Sequence, residues 1–292
     1  MISLQRKTKV YLLALGTIFF WASAFPLTKI AMEHYSPNAL GFLRCLVAAV
    51  LLVIIGLIQK IHLPHTFRDV LWFLLSGALG FALYMVLFNT GIQTLSSATS
   101  SIIVATTPIM TAVVASRLYH EHINRVGWFA ILLAFAGVLI VLLWDGVFSI
   151  NVGLIWTLCA AVVFCAYNLL TRKFSAKGYS ALEIVTYSMI CGAILLSVFA
   201  PEGIAQVRTA TTPQMLAVLY LGAMPSATSY LLWGNAMALA EKTSDVTNFM
   251  FVTPLLSTVM AIALSEALPN AGTFLGGAVI ITGIVLFNLK GK

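Results

Sequence analysis

Ten apolar runs, each about long enough to cross a lipid bilayer, occupy most of this chain and leave little for a separate soluble domain. They lie at 10–32, 38–58, 69–94, 98–117, 125–144, 150–172, 181–200, 213–239, 243–265 and 270–289. A spanning helix needs about 20 such residues. In lipid its backbone polar groups must be satisfied within the segment, which selects helices over open strands. Only 9% of the 292 residues are charged, against about a quarter in a soluble domain, so most of the surface has to face lipid. The expected fold is an all-α integral membrane protein of ten transmembrane helices. Its short connections imply antiparallel neighbours. The longest of them, 201–212, is read as a loop carrying Pro201, Glu202 and Arg208.

The charges that remain are informative by position. A net charge of +7 would suit nucleic acid on a soluble surface. Here the basic residues sit in short loops between apolar runs, so the expected partners are the lipid bilayer and a small-molecule solute, with no nucleic acid. With the N-terminus placed in the cytoplasm, Arg6, Lys7, Lys9, Lys60, Arg68, Arg117, Arg125, Arg172, Lys173, Lys177, Lys242, Lys290 and Lys292 fall inside. Only Lys29 and Arg208 fall outside, with Arg44 within a span. That bias predicts both termini on the cytoplasmic side and an even number of spans. Ala22-Ser23-Ala24 imitates a signal-peptidase site, but the apolar run continues to Met32 and has a counterpart in the second half, so the segment reads as a retained span. Cys45, Cys159, Cys165 and Cys191 fall inside predicted spans without metal-ligand spacing and read as small apolar fillers. No metal or other cofactor is expected.

The two halves repeat. Tyr84 and Asn89 match Tyr230 and Asn235 at a separation of 146, which also carries Thr107-Pro108 onto Thr253-Pro254 and Gly137 onto Gly283. Glu121 finds Glu266 one residue out of step. Trp21, Phe25, Thr28 and Lys29 of the first span align more loosely with Phe164, Asn168, Thr171 and Arg172 of the sixth. Five spans is an odd number, so the second half, 146–292, is expected upside down relative to the first, 1–145. Inverted repeats with a site between them typify secondary transporters. The tryptophan-bearing first span (Phe20-Trp21-Ala22-Ser23), Pro37 with Arg44 in the second and Tyr84 in the third form an ordered set with the paired Pro108 and Pro254. Each of those two prolines is followed by a loop glutamate and a glycine-rich last span. This set resembles the EamA type of the drug/metabolite transporter superfamily over the whole chain. The resemblance implies a ten-helix transporter of amino acids and other metabolites, often an exporter, in a bacterial inner membrane.

No Asp, Glu or His lies near the middle of a predicted span. An enzyme would need a nucleophile and base, or metal ligands, at depth, so catalysis is not expected. A multidrug cation antiporter usually buries a carboxylate, and none is visible. An organic-phosphate or nucleotide-sugar exchanger would need several cavity cations, where only Arg44 is found. Each candidate site residue carries a plain reading beside the functional one. Pro108 and Pro254 free the carbonyls of Val104 and Met250. They are packing kinks, or else hinges or polar notches beside the cavity, and Thr107 and Thr253 can supply hydroxyls to those carbonyls. Asn89, Asn168, Asn235 and Asn248 are helix glue or cavity lining. Trp21, Tyr84, Tyr230 and Trp233 are interface aromatics or solute contacts. Tyr84 and Tyr230 gain weight from their repeat-related places. Arg44 snorkels or anchors a carbonyl, or else it attracts a substrate carboxylate or phosphate. Glu241, Lys242 and Asp245 are loop charge or a gate. Gly272 and Gly276 allow close helix packing, within a monomer or in a homodimer.

Overall fold

The computed structural model describes residues 2–118, 123–144, 151–239, 246 and 248–290. At 2–5, 112, 115, 142, 238, 248, 251 and 288 it describes the backbone alone. The described residues are helical, with no strand among them. The helices are α1 (Ile2–Ala31), α2 (Pro37–Gln59), α3 (Phe67–Gly77), α4 (Tyr84–Ile92), α5 (Ser97–Val104), α6 (Thr107–Leu118), α7 (Arg125–Leu143), α8 (Val152–Ala176), α9 (Ala181–Leu196), α10 (Ala200–Thr209), α11 (Thr212–Leu221), α12 (Ser229–Leu239), α13 (Val252–Ala263) and α14 (Ala271–Lys290). Seven helical segments are long and apolar enough to cross a membrane: Arg6–Ala31, Pro37–Gln59, Phe67–Ile92, Ser97–Leu118, Val152–Ala176, Ala181–Thr209 and Thr212–Met237. Three shorter apolar helices, Arg125–Val141, Val252–Ala263 and Ala271–Phe287, fall within the remaining predicted runs.

Side-chain caps start these helices where the chain turns. Ser36, Thr66, Ser96 and Asn124 each accept a hydrogen bond from a backbone N–H in the first turn. Ser180 and Glu183 form a reciprocal capping box, with Glu183 also accepting from the His62 N–H. Each such cap supplies a partner that lipid cannot. The connection read as a loop at 201–212 is mostly helix. After a 3₁₀ turn at Ser197–Phe199 the chain starts α10, with Pro201 in its first turn, where its missing N–H costs nothing.

Two features bear on the site. The third and eighth apolar runs each contain a π-helical stretch, Ala78–Leu83 and Gly222–Thr228, at nearly repeat-related places. The fourth run breaks between α5 and α6, and the ninth begins as a 3₁₀ stretch, Asn248–Phe251, before α13. Pro108 and Pro254 therefore sit just inside a new helix, not at mid-helix kinks. The last apolar helices of the two halves, α7 and α14, pack tightly together. A Cβ on Gly137 would lie 2.7 Å from the Gly276 carbonyl, and one on Gly283 would lie 2.6 Å from the Ala134 nitrogen. The small residues of α14 thus serve a contact within the chain.

Candidate functional site

The cavity lies where α1, α2, α4, α5, α8, α12 and the segments around Pro225 and Thr253 converge. Six aromatic residues form its collar through a run of ring contacts. Trp21 meets Tyr230 at 5.5 Å between centroids, Tyr230 meets Phe164 at 6.4 Å, and Phe164 meets Tyr84 at 5.2 Å. Tyr84 meets Phe88 at 5.5 Å and Phe88 meets Phe25 at 5.4 Å. Phe25 and Trp21, the two ends of the run, lie about one turn apart on α1. Tyr84 and Tyr230 each lie in the first turn of a helix that follows a π-helical stretch, and π segments often mark functional sites. The cavity measures about 70 Å³, whereas small-molecule pockets commonly run from about 300 to 1,000 Å³. A whole solute fits only if these walls part.

Arg44 enters the cavity from α2 and is 4% exposed. Its Nη1 donates to Thr28 Oγ1 at 3.0 Å, and its Nη2 to Ser226 Oγ at 3.4 Å. Its Nε is buried and has no partner. Ser226 lies in the π-helical stretch, and its Oγ donates to the carbonyl five residues earlier, Leu221, at 2.8 Å, as the Thr228 and Ser229 hydroxyls do to Ala223 and Met224. The committed proton leaves the oxygen lone pairs to face Arg44. At Pro108 the carbonyl four residues earlier lacks its donor, and Thr107 Oγ1 donates to that carbonyl, Val104, at 2.7 Å. The repeat-related Thr253 does otherwise. Its hydroxyl is buried without a partner and lies in the cavity wall.

Of the residues singled out in the sequence, Trp21, Arg44, Tyr84 and Tyr230 line the cavity. The other described candidates lie elsewhere. Asn89 is fully buried but faces α2, where its Nδ2 donates to the Pro37 carbonyl at 2.8 Å. Asn235 is exposed and bonds back to its own helix at Leu231. Asn168 is half-buried on α8 outside the lining. Trp233 packs against Trp21 at 5.2 Å, behind the collar. The Asn248 side chain, and Glu121, Glu241, Lys242 and Asp245, lie outside the described residues. Sequence reasoning did not give a site role to Phe88 or Ser226, and it gave Thr253 the task of supplying a hydroxyl to the Met250 carbonyl, a bond that does not form. Phe88 lies four residues after Tyr84 on the same helix face, a signal that was present. The Pro225-Ser226 pair was visible too, but its meaning depends on Arg44 lying opposite.

A second polar cluster lies near the end of α1. Lys29 Nζ donates to Glu266 Oε1 at 2.9 Å and to the Leu95 carbonyl at 3.0 Å. The same Glu266 oxygen accepts from the Ser97 N–H at 2.8 Å. Burial pushes the Glu266 carboxyl up, but the Ser97 and Lys29 hydrogen bonds outweigh it and hold the group below the ordinary glutamate value. Elsewhere Asp69 pairs with Lys177 and accepts from the Tyr179 hydroxyl at 3.1 Å. Burial leads in raising the Tyr179 hydroxyl above the usual tyrosine value.

Apolar helices long enough to span a bilayer, packed round an aromatic cavity, define a polytopic membrane protein. The chain belongs to the EamA-like transporter family, whose model matches it twice, over residues 8–143 and 151–289. It is 29% identical to the uncharacterized transporter YdfC of Bacillus subtilis, over 94% of this chain and 89% of that one. It is also 29% identical to a probable terminal-alkyne amino-acid exporter of Streptantibioticus cattleyicolor, over 94% and 91% of the two chains. A protein of known crystal structure superposes with a TM-score of 0.67 at 18% identity, over 96% of this chain and 98% of its own, so the two share a fold.

Proposed function

We propose that this chain is a secondary transporter of small metabolites, with amino acids the leading class. It works by alternating access between two inverted five-helix halves, 1–145 and 146–292, which together make ten transmembrane helices. Both termini face the cytoplasm across the inner membrane. The observation that carries this reading is that the repeat-related, half-buried Tyr84 and Tyr230 share one aromatic collar, built from both halves. Positions equivalent in inverted halves converge near a midplane axis, where such proteins bind solute. The amino-acid exporter among the relatives supports the substrate class. Breaks before Pro108 and Pro254 give each half a place to bend. Among the described residues no Asp or Glu lines the cavity, which favours facilitated movement or exchange over proton coupling. A phosphate exchanger is disfavoured because Arg44 is the single lining cation among the described residues.

The test is exchange of labelled amino acids across proteoliposomes holding the purified chain, with no pH gradient imposed. Counterflow well above protein-free liposomes is expected for at least one apolar amino acid. Equal rates with and without protein across the whole panel would overturn the reading. Strict dependence on a pH gradient would overturn its uncoupled part.

A further inference from the structure

Arg44 is the anomaly of this interior. A buried guanidinium normally meets a carboxylate, because two neutral acceptors do not repay the desolvation of a full charge. Arg44 has Thr28 and Ser226 alone as side-chain acceptors, an unpartnered Nε, and among the described residues no carboxylate within ion-pair distance. Both hydroxyls hold the guanidinium in place without neutralising it. The rest of the wall is aromatic or apolar apart from the small hydroxyls, and one of those, on Thr253, also lacks a partner. The cavity therefore contains one uncompensated positive charge, one free hydroxyl and a ring of aromatic faces.

We propose that Arg44 is the docking group for a single carboxylate of the transported solute, whose apolar body lies within the aromatic collar. This names the substrate class of the transport site and rests on that reading. A carboxylate can accept two hydrogen bonds from one guanidinium, and a monoanion would neutralise the site. A phosphate dianion would leave one negative charge uncompensated in the same low-dielectric space. The lining has no acid to meet an α-ammonium, which would find only neutral groups, the aromatic faces and hydroxyls such as that of Thr253. Selectivity therefore falls on the carboxylate, and the amino group is dispensable.

The test uses thermal unfolding of the full-length protein in detergent, titrated with matched ligands. For leucine, methionine and phenylalanine the set is the amino acid, its deaminated acid and its amide, with sodium chloride and inorganic phosphate as anion controls. A ligand that binds the folded state raises the melting temperature by mass action. The expected result is stabilisation by at least one amino acid together with its deaminated acid, and at least tenfold weaker binding of the matching amide and of both inorganic anions. Arg44→Gln should reduce carboxylate affinity at least tenfold, with Arg44→Lys between it and the parent. Should Arg44→Gln not fold, the acid-against-amide comparison on the parent protein still decides. Amide binding within twofold of acid binding would overturn the inference and leave the transport site standing. Equal stabilisation by chloride or phosphate would overturn it in favour of a general anion site. Failure of every ligand to bind would overturn the solute-site reading and the inference with it.

Discussion

Lys29 and Arg44 are both cations of the first two helices, and the protein treats them in opposite ways. Lys29, at the end of α1, has a carboxylate and a carbonyl, and its side chain is still 30% exposed. Arg44 is 4% exposed and has two hydroxyls. A half-solvated ammonium with a paired acid is an ordinary tie between segments. Here it joins α1, the turn before α5 and the connection after α13. A buried guanidinium without an acid carries an uncompensated desolvation cost, and the proposed carboxylate would offset it. The contrast separates a cation tied to an acid from one left without a counter-charge.

The sharpest break of this comparison is Arg44→Gln measured without ligand. Removing an unpaired buried charge is neutral or stabilising, so the melting temperature should stay level or rise while carboxylate affinity falls by roughly 10- to 150-fold, the equivalent of about 1.5–3 kcal/mol. A large loss of stability would make Arg44 a structural anchor like Lys29.

Tyr230→Ala removes a collar ring and leaves the cation. Its cost should be about 0.5–1.5 kcal/mol beyond the lost area, with the same fold-loss for an amino acid and its deaminated acid in titration calorimetry. A loss confined to the amino acid would mean that the ring reads the ammonium.

Glu266→Gln leaves Lys29 with a neutral partner. The pair is partly exposed, so the expected loss is about 1 kcal/mol or less, read as a lower melting temperature with carboxylate affinity unchanged. The sign with pH follows from the lowered carboxyl. The contribution of Glu266 is present above its unfolded value of about 4.3 and is lost as pH falls through the folded one. Below about pH 4.3 the melting temperature of the parent should therefore fall more steeply than that of Glu266→Gln.

Asn235→Ala should do least. The side chain is exposed and bonded to its own helix, so solute affinity should move by less than about twofold. A larger change would bring α12's outer face into the transport path.

The asparagines show where reading from residue order stops. Asn89 and Asn235 were paired with Tyr84 and Tyr230 by the repeat, and a shared pocket followed naturally. Residues five apart on a helix differ by about 140° in direction, so an asparagine need not face where its tyrosine faces. Asn89 turns to the Pro37 carbonyl and Asn235 outward, while the residues four after and five before the tyrosines, Phe88 and Pro225, line the cavity. Tyr84 and Tyr230 were legible because they recur at repeat-related places, whereas Phe88 has Gly234 as its counterpart. Thr253 and Ser226 were not, because a hydroxyl's role depends on which neighbour claims its proton.

Residue order by itself determined that this chain lives in a bilayer, that it is helical, and where most of its apolar segments lie. Those properties follow from local hydropathy, from caps such as Ser36 and Ser180, and from the requirement that backbone groups bond within their own segment. Only the tertiary structure decided that α7 and α14 seal against each other through Gly137, Gly276 and Gly283, and that 201–209 continues as helix. It also decided that Arg44, alone among the spans' charges in the sequence reading, faces an aromatic collar with no acid beside it. Such facts depend on which faces of separate helices meet, and in lipid the polar pattern that would announce a buried face is nearly erased, because both faces of each helix are apolar.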